Sequence, residues 1–182
     1  MNHQNELMLT VIGIILILLI LLFLVIPLFI SKQYQVEKQV LIQRSNLSVF
    51  DFLKLLGNQI YYNKWVMMDP DVKRTSTGVD GTVGFISYWD SQVKNVGKGE
   101  QEISRIEAGT NIESTVRFEK PFKNTTRVSM TTISVTPGQT RVIWKMAGQN
   151  KYPMNLMNLI VPGMLGRDME ESLGNLKNIL ER

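Results

Sequence analysis

Residues Leu7 to Ile30 form a run of 24 in which only Thr10, Gly13 and Pro27 interrupt the apolar side chains. A helix rises ~1.5 Å per residue, so such a run makes a rod of roughly 36 Å. The hydrocarbon core of a bilayer is about 30 Å thick. A helix also satisfies its backbone groups internally, so the run can cross with some tilt. Pro27 falls one turn from its end, where a local kink is tolerated. A cleaved signal would have a shorter apolar stretch, a basic lead and small residues after it. Here the six leading residues contain no Lys or Arg, and Ile30-Ser31-Lys32-Gln33 is not a small-x-small site. The run therefore reads as an uncleaved anchor. Residues 1–31 are tail and anchor, and residues 32–182 are one domain.

Lys32, Lys38 and Arg44 follow the run, and no Lys or Arg precedes it. The positive-inside rule then places the domain in the cytoplasm and the short tail outside. Outside the run more than a third of the residues are still apolar, enough for a domain of this size to bury a core. The net charge of +4 comes from interspersed signs, not from a basic stripe, so no nucleic-acid partner is expected. Mild basicity beside a membrane suits anionic headgroups, although a solvated surface is the stronger reading. The absence of cysteine excludes disulfides, thiolate catalysis and Cys-ligated zinc. His3 is the only histidine and precedes the apolar run, so the domain has no His triad, His proton shuttle or His-rich metal site. Neither metal nor cofactor is expected.

Tyr34, Val36, Val40 and Ile42 alternate on one face, interrupted by Lys38, which predicts a first strand over 33–43. Ser45 to Ser48 offer caps for a helix carrying Val49, Phe52, Leu53 and Leu56, with Gly57-Asn58 as its stop. A short helix or turn is expected at Ile60 to Trp65, and a turn at Asp69-Pro70-Asp71. Beyond Val72, β-branched and aromatic residues alternate with polar ones. Strands are predicted over 72–78, 83–89, 97–106, 110–119, 125–136 and 140–147. The short breaks between them imply an antiparallel meander. Glycines 78, 81, 84, 97 and 99 read as turns and bulges, because no Gly-Lys-Ser/Thr follows to make a phosphate loop. Leu165, Met169, Leu173, Leu176 and Leu180 form one stripe of a terminal helix, with Asp168, Glu170 and Glu171 expected near its favourable start.

This order resembles the helix-grip fold of the SRPBCC superfamily, which includes START-like and polyketide cyclase/dehydrase-like proteins, and more finely a membrane-anchored bacterial branch of it. The residues that carry the resemblance are Asn63-Lys64-Trp65, Met68-Asp69-Pro70, Gly78, Val83-Gly84, Trp89 and Gly97-Lys98-Gly99-Glu100. Further on they are Phe118, Pro121-Phe122, Thr140-x-Val142-x-Trp144, Gly148, Pro153 to Met157, Gly166 and Leu173 to Lys177. The branch often has a second Trp in a Trp-Ser-Pro-Trp run; here the run is Trp65-Val66-Met67-Met68, which puts the shape of that entrance in doubt. The resemblance implies an α+β fold: a curved antiparallel sheet of about seven strands around a long C-terminal helix, preceded by one transmembrane helix. It implies a deep apolar cavity and a bacterial inner-membrane location, but no single function.

Trp65, Trp89 and Trp144 are candidates for the cavity wall, although each could equally plug a core. Phe118, Met146, Met157, Met169 and Leu173 complete the candidate set. Five methionines, Met146, Met154, Met157, Met164 and Met169, lie between the last strand and the last helix, where soft side chains suit a variable cavity mouth, lipid contact or simple gap filling. The carboxylates form no clear acid–base pair: Glu100, Glu102, Glu113 and Glu119 read as solvent-facing, and no catalytic residue is assigned. Arg105, Arg117, Arg127 and Arg141 lie on strands, where one could turn inward toward an acidic headgroup. The expected function is a membrane-tethered domain that binds an apolar small molecule, a lipid, an isoprenoid or a polyketide-like compound. The alternatives are a cyclase or dehydratase, which needs an ionisable pair in the cavity, and a ligand-sensing stress-response module, which needs an exposed patch for a protein partner.

Overall fold

Alternation of apolar and polar residues decides both where the strands run and which side of each is buried. The computed structural model describes residues 3–182; Met1 and Asn2 of the tail lie outside the described residues. A long apolar helix, α1 (His3–Val25), comes first. Then follow β1 (Gln33–Ile42), α2 (Asn46–Leu53), and the short helices α3 (Gln59–Tyr62) and α4 (Lys64–Met67). The meander consists of β2 (Lys73–Thr77), β3 (Ile86–Asp90), β4 (Lys98–Glu107), β5 (Asn111–Lys120), β6 (Asn124–Thr136) and β7 (Gln139–Gln149). The chain ends in α5 (Val161–Leu180).

The seven strands make one antiparallel sheet in the order β1-β7-β6-β5-β4-β3-β2. The first strand closes on the last in unbroken register, from Gln33 opposite Gln149 to Ile42 opposite Thr140. Consequently one end of the sheet gathers the start of β1, the end of β7 and the turns joining β5 to β6 and β3 to β4. Because β1 follows α1 and its 3-10 turn closely, this is the α1 end of the sheet.

The inner face carries the alternate residues Ile112, Ser114 and Val116 of β5, Val128 and Met130 of β6, and Val142, Trp144 and Met146 of β7, all buried. Against them α5 lays Met169, Leu173 and Leu176, each at most 1% exposed. Lys38 interrupts the inner face of β1 without cost to the pattern. Its aliphatic stem lies over Gly166 of α5, where a Cβ would meet Lys38 Cε at 2.9 Å, and its ammonium reaches Glu170 at the edge.

Two expectations shift. The strand expected at 83 begins at Ile86, because Gly84 adopts φ +88° and Gly84 N–H and Phe85 C=O bond Ile103 outside a regular ladder. The terminal helix begins at Val161, with Pro162 in its first turn, so Asp168, Glu170 and Glu171 sit at least two turns inside it. They meet side chains instead of the helix dipole: Lys64 pairs with Asp168 at 2.9 Å and with Glu171 at 2.6 Å.

At Pro27 the apolar helix tightens into a 3-10 turn, Ile26–Phe29, since proline has no N–H to donate to the preceding turn. That turn packs on a second one, Met154–Leu159, from the connection between β7 and α5. Asn155, fully buried, donates from Nδ2 to the carbonyls of Pro27 at 2.7 Å and Ile30 at 2.8 Å. The Ile30 carbonyl is one that the end of a helix leaves unused, and the Pro27 carbonyl also accepts the Ile30 N–H at 3.3 Å. Asn158 Nδ2 bonds Ser31 C=O at 2.8 Å, and Tyr152 Oη donates to Leu24 C=O at 3.0 Å.

Candidate functional site

A hollow of about 330 Å³ lies between the inner sheet face, the segment from Leu53 to Arg74 and the first turns of α5. Ligand pockets run from about 300 to 1,000 Å³, so this one is at the small end. At ~30 Å³ for each water-sized group, it holds roughly eleven of them. A compact ring system or a short chain fits that space; a whole two-chain phospholipid does not.

Its aromatic wall is built from both flanks. α4 starts at Asn63, whose Oδ1 accepts the Trp65 N–H at 3.1 Å, while Ser172 Oγ of α5 accepts the Lys64 N–H at 2.9 Å. So held, Trp65 donates its indole N–H to Asp168 Oδ2 at 3.2 Å and meets Trp144 edge to face, with ring centroids 5.8 Å apart. Across the hollow Trp89 meets Phe118 in the same geometry, also at 5.8 Å. Trp89 donates to Val96 C=O at 3.1 Å and lies flat on its strand partner Gly99, where a Cβ would come within 2.8 Å of the ring. Gly148 performs the same service for Tyr34: its absent Cβ would stand 2.5 Å from the phenol oxygen. Gly148 is required by close approach of the Tyr34 ring, and Gly99 by the Trp89 ring and, closer still, by the Arg117 carbonyl; neither is required by backbone conformation.

Trp65, Trp89, Phe118, Trp144 and Met146 all line the hollow. Met169 and Leu173 lie one layer away, in solid core on α5, and Met157 is 46% exposed on the 3-10 turn beside the end of the apolar helix. The strand arginines do not turn inward. Arg117 bonds Glu100 at 2.8 Å and Glu102 at 2.7 Å on the outer face, which raises its pKa, and Arg105 pairs with Glu107. The guanidinium that does reach the lining is Arg74. It donates to Val66 C=O at 3.2 Å; partial burial lowers its pKa and Asp69 opposes that fall.

Apart from Arg74 at the rim, the polar part of the wall is neutral. Asn63 Nδ2 donates to Gln59 Oε1 at 3.2 Å, Gln59 Nε2 to Gln101 Oε1 at 3.1 Å, and Gln101 Nε2 to Ser114 Oγ at 2.8 Å. Tyr34 Oη and Thr126 Oγ1 share a hydrogen bond of 3.3 Å. Burial pushes the Tyr62 phenol far above its ordinary range, so it stays protonated. Trp144 Nε1 is buried and has no hydrogen-bond partner. The lining contains no carboxylate, amine or imidazole, and no cluster of metal-ligating side chains occurs among the described residues. Sequence reasoning missed this amide chain. Its signal was period two: if Glu100 and Glu102 face solvent, Gly99, Gln101 and Ile103 must face inward.

Of the lining residues only Arg74 and Asn95 are exposed, and both lie at the α1 end of the sheet. At the other end Leu53, Leu56 and Ile112 are buried and close the hollow. A second depression, of about 350 Å³, lies on the outer sheet face among Gln35, Glu113, Arg127 and Lys145; its charged rim suits no apolar molecule.

A sheet folded round one long helix, with a hollow between them, defines the helix-grip fold of the SRPBCC and Bet v1-like proteins. Solved structures agree. Norcoclaurine synthase from Thalictrum flavum, in complex with dopamine and hydroxybenzaldehyde, is 11% identical, with a TM-score of 0.62 over 87% of this chain and 92% of its own. Protein CV1439 from Chromobacterium violaceum is 12% identical, with a TM-score of 0.59 over 81% and 97%. A Staphylococcus aureus protein of unknown function is 11% identical, with a TM-score of 0.60 over 83% and 95%. At such identities the likeness is one of fold. No family model matches the sequence, and no curated protein matches it.

Proposed function

We propose that this chain is a membrane-held helix-grip domain that takes up a compact apolar molecule, such as an isoprenoid, polyketide-like ring or short acyl chain, and that it is not an enzyme. One observation carries this: the hollow is walled by Trp65, Trp89, Phe118, Trp144 and Met146, with neutral amides and hydroxyls on one side. Burying apolar area contributes ~25 cal/mol per Å², so such a wall selects greasy ligands. The amides and the Tyr62 hydroxyl would orient a carbonyl or hydroxyl on the ligand. A cyclase or dehydratase must move a proton through a group that titrates near neutrality. The ionisable groups of the lining are Tyr34, Tyr62 and Arg74, with burial keeping Tyr62 protonated and no carboxylate or imidazole beside them.

Membrane tethering, with the domain on the cytoplasmic side of a bacterial inner membrane, belongs to the same proposal. The long helix leaves nearly all of its apolar side chains exposed, a surface that water does not tolerate. A tether raises the local concentration of any ligand dissolved in the bilayer. Native mass spectrometry of the full chain released from nanodiscs, followed by extraction, tests the ligand. A co-purifying apolar compound of the size of the hollow is expected. Consistent recovery of ligand-free protein, with the hollow closed to added hydrophobic dyes, would overturn the proposal.

A further inference from the structure

We propose that the anchor end of the domain is a membrane-seating surface, in which the apolar residues after β7 enter the headgroup layer of an anionic bilayer and surrounding lysines meet its phosphates. The inference rests on α1 being a membrane span. Only Ile30, Ser31 and Lys32 separate the 3-10 turn Ile26–Phe29 from β1. Three residues reach at most about 11 Å fully extended, so the domain cannot stand away from the surface the helix leaves. The connection is also not free to swing. Asn155 holds the Pro27 and Ile30 carbonyls, Asn158 holds that of Ser31, and Asn150 N–H bonds Lys32 C=O at 2.9 Å.

The segment that makes these bonds is itself apolar on its free side. Met154, Met157, Leu159, Ile160 and Met164 are all exposed, as are Leu28 and Phe29 of the anchor beside them. A contiguous patch of this kind in water is costly, and its continuity with the anchor names what covers it. Its side chains would enter the boundary between headgroups and acyl chains, about 5–10 Å deep.

Charge points the same way. Lys32, Lys94, Lys120, Lys123 and Lys151 are exposed on the turns of this end. Among the described residues none of the five forms an ion pair. Of the acids there, Asp90 and Glu119 are taken up by Lys98, which leaves Asp69 and Asp71. Each Lys near an anionic leaflet contributes about 1 kcal/mol of attraction. Arg74 and Asn95, the exposed rim of the hollow, lie at this same end, so the mouth would open onto the headgroups and a ligand could pass without crossing bulk water.

The chain has no cysteine, so single nitroxide labels can be placed cleanly at Met157→Cys, Ile160→Cys, Leu18→Cys and, at the far end, exposed Leu47→Cys. Full chain is reconstituted in nanodiscs of phosphatidylglycerol and phosphatidylethanolamine, and separately of phosphatidylcholine. The ratio of oxygen to nickel-chelate accessibility reads depth, and tryptophan fluorescence checks that each variant folds. The ratio at 157 and 160 is expected to exceed that at 47 several-fold, and to be higher in the anionic discs. Ratios at 157 and 160 equal to that at 47, with the Leu18 label deep, overturn the seating surface and leave the ligand hollow untouched. A Leu18 label in water overturns the anchor and the seating surface together.

Discussion

Two buried valines on the inner sheet face separate a hollow interior from a filled one. Val128 is 7% exposed and lines the hollow; Val142, on the neighbouring strand, is 0% exposed and does not. Replacing valine with phenylalanine adds four carbons, fewer and smaller than the roughly eleven water-sized groups the hollow holds at ~30 Å³ each. The 330 Å³ available beside Val128 takes them without overpacking. At ~0.8 kcal/mol per buried carbon, the ceiling on the gain from Val128→Phe is about 3 kcal/mol. Ordering the ring and imperfect contact reduce this to about 1 kcal/mol of net stabilisation. Beside Val142 there is no such space, and overpacking costs ~1–3 kcal/mol. Urea unfolding of the full chain in one detergent, followed by tryptophan fluorescence, would read the two variants against wild type at constant m-value. Val128→Phe should raise the midpoint and Val142→Phe lower it, and only the former should reduce the amount of co-purifying ligand. Equal destabilisation by both would mean that the space beside Val128 is already occupied by the protein, and the ligand proposal would fail with it.

Trp144→Phe should cost well below the ~3–5 kcal/mol expected for Trp144→Ala, because it deletes a buried N–H that has no partner; urea midpoints of the pair check this. Asn155→Ala should cost about 1–3 kcal/mol locally by stranding the Ile30 carbonyl and leaving that of Pro27 with the Ile30 N–H alone. Its signature is faster amide exchange confined to residues 30–33 and 150–160. Above the ordinary phenol pKa of 10.0, the unfolded chain releases the Tyr62 proton while the folded chain keeps it. Stability is therefore unaffected by this group below pH 10 and falls as pH rises beyond it; Tyr62→Phe should flatten that fall in urea midpoints measured from pH 8 to 11.5. Gly148→Ala should displace the Tyr34 ring and cost ~1–3 kcal/mol, with loss of ligand, since the added Cβ would stand 2.5 Å from the phenol oxygen.

Much of the architecture was legible because it depends on periodicity. The spacing of Leu165, Met169, Leu173, Leu176 and Leu180 marks the terminal helix, and alternation through Val142, Trp144 and Met146 marks the face it covers. The start of that helix was not legible: the stripe begins at Leu165, one turn after the helix does at Val161, and only the contact of Lys38 with Gly166 shows why a glycine stands there. At the candidate site the large aromatics stood out by type, whereas the amide chain from Asn63 to Ser114 spans 51 positions and has no local signature.

By itself the sequence determined that there is one long apolar helix, a meander of strands and a final amphipathic helix, since each of these is set by neighbours within a few residues. It also excluded cysteine and histidine chemistry from the domain by composition alone. Only the tertiary structure decided which tryptophans face a hollow and which methionines fill core, because facing depends on what the opposite element brings. Only it could bring Asn155 against Pro27, 128 positions away, and turn a connecting loop into the piece that holds the sheet to the long apolar helix.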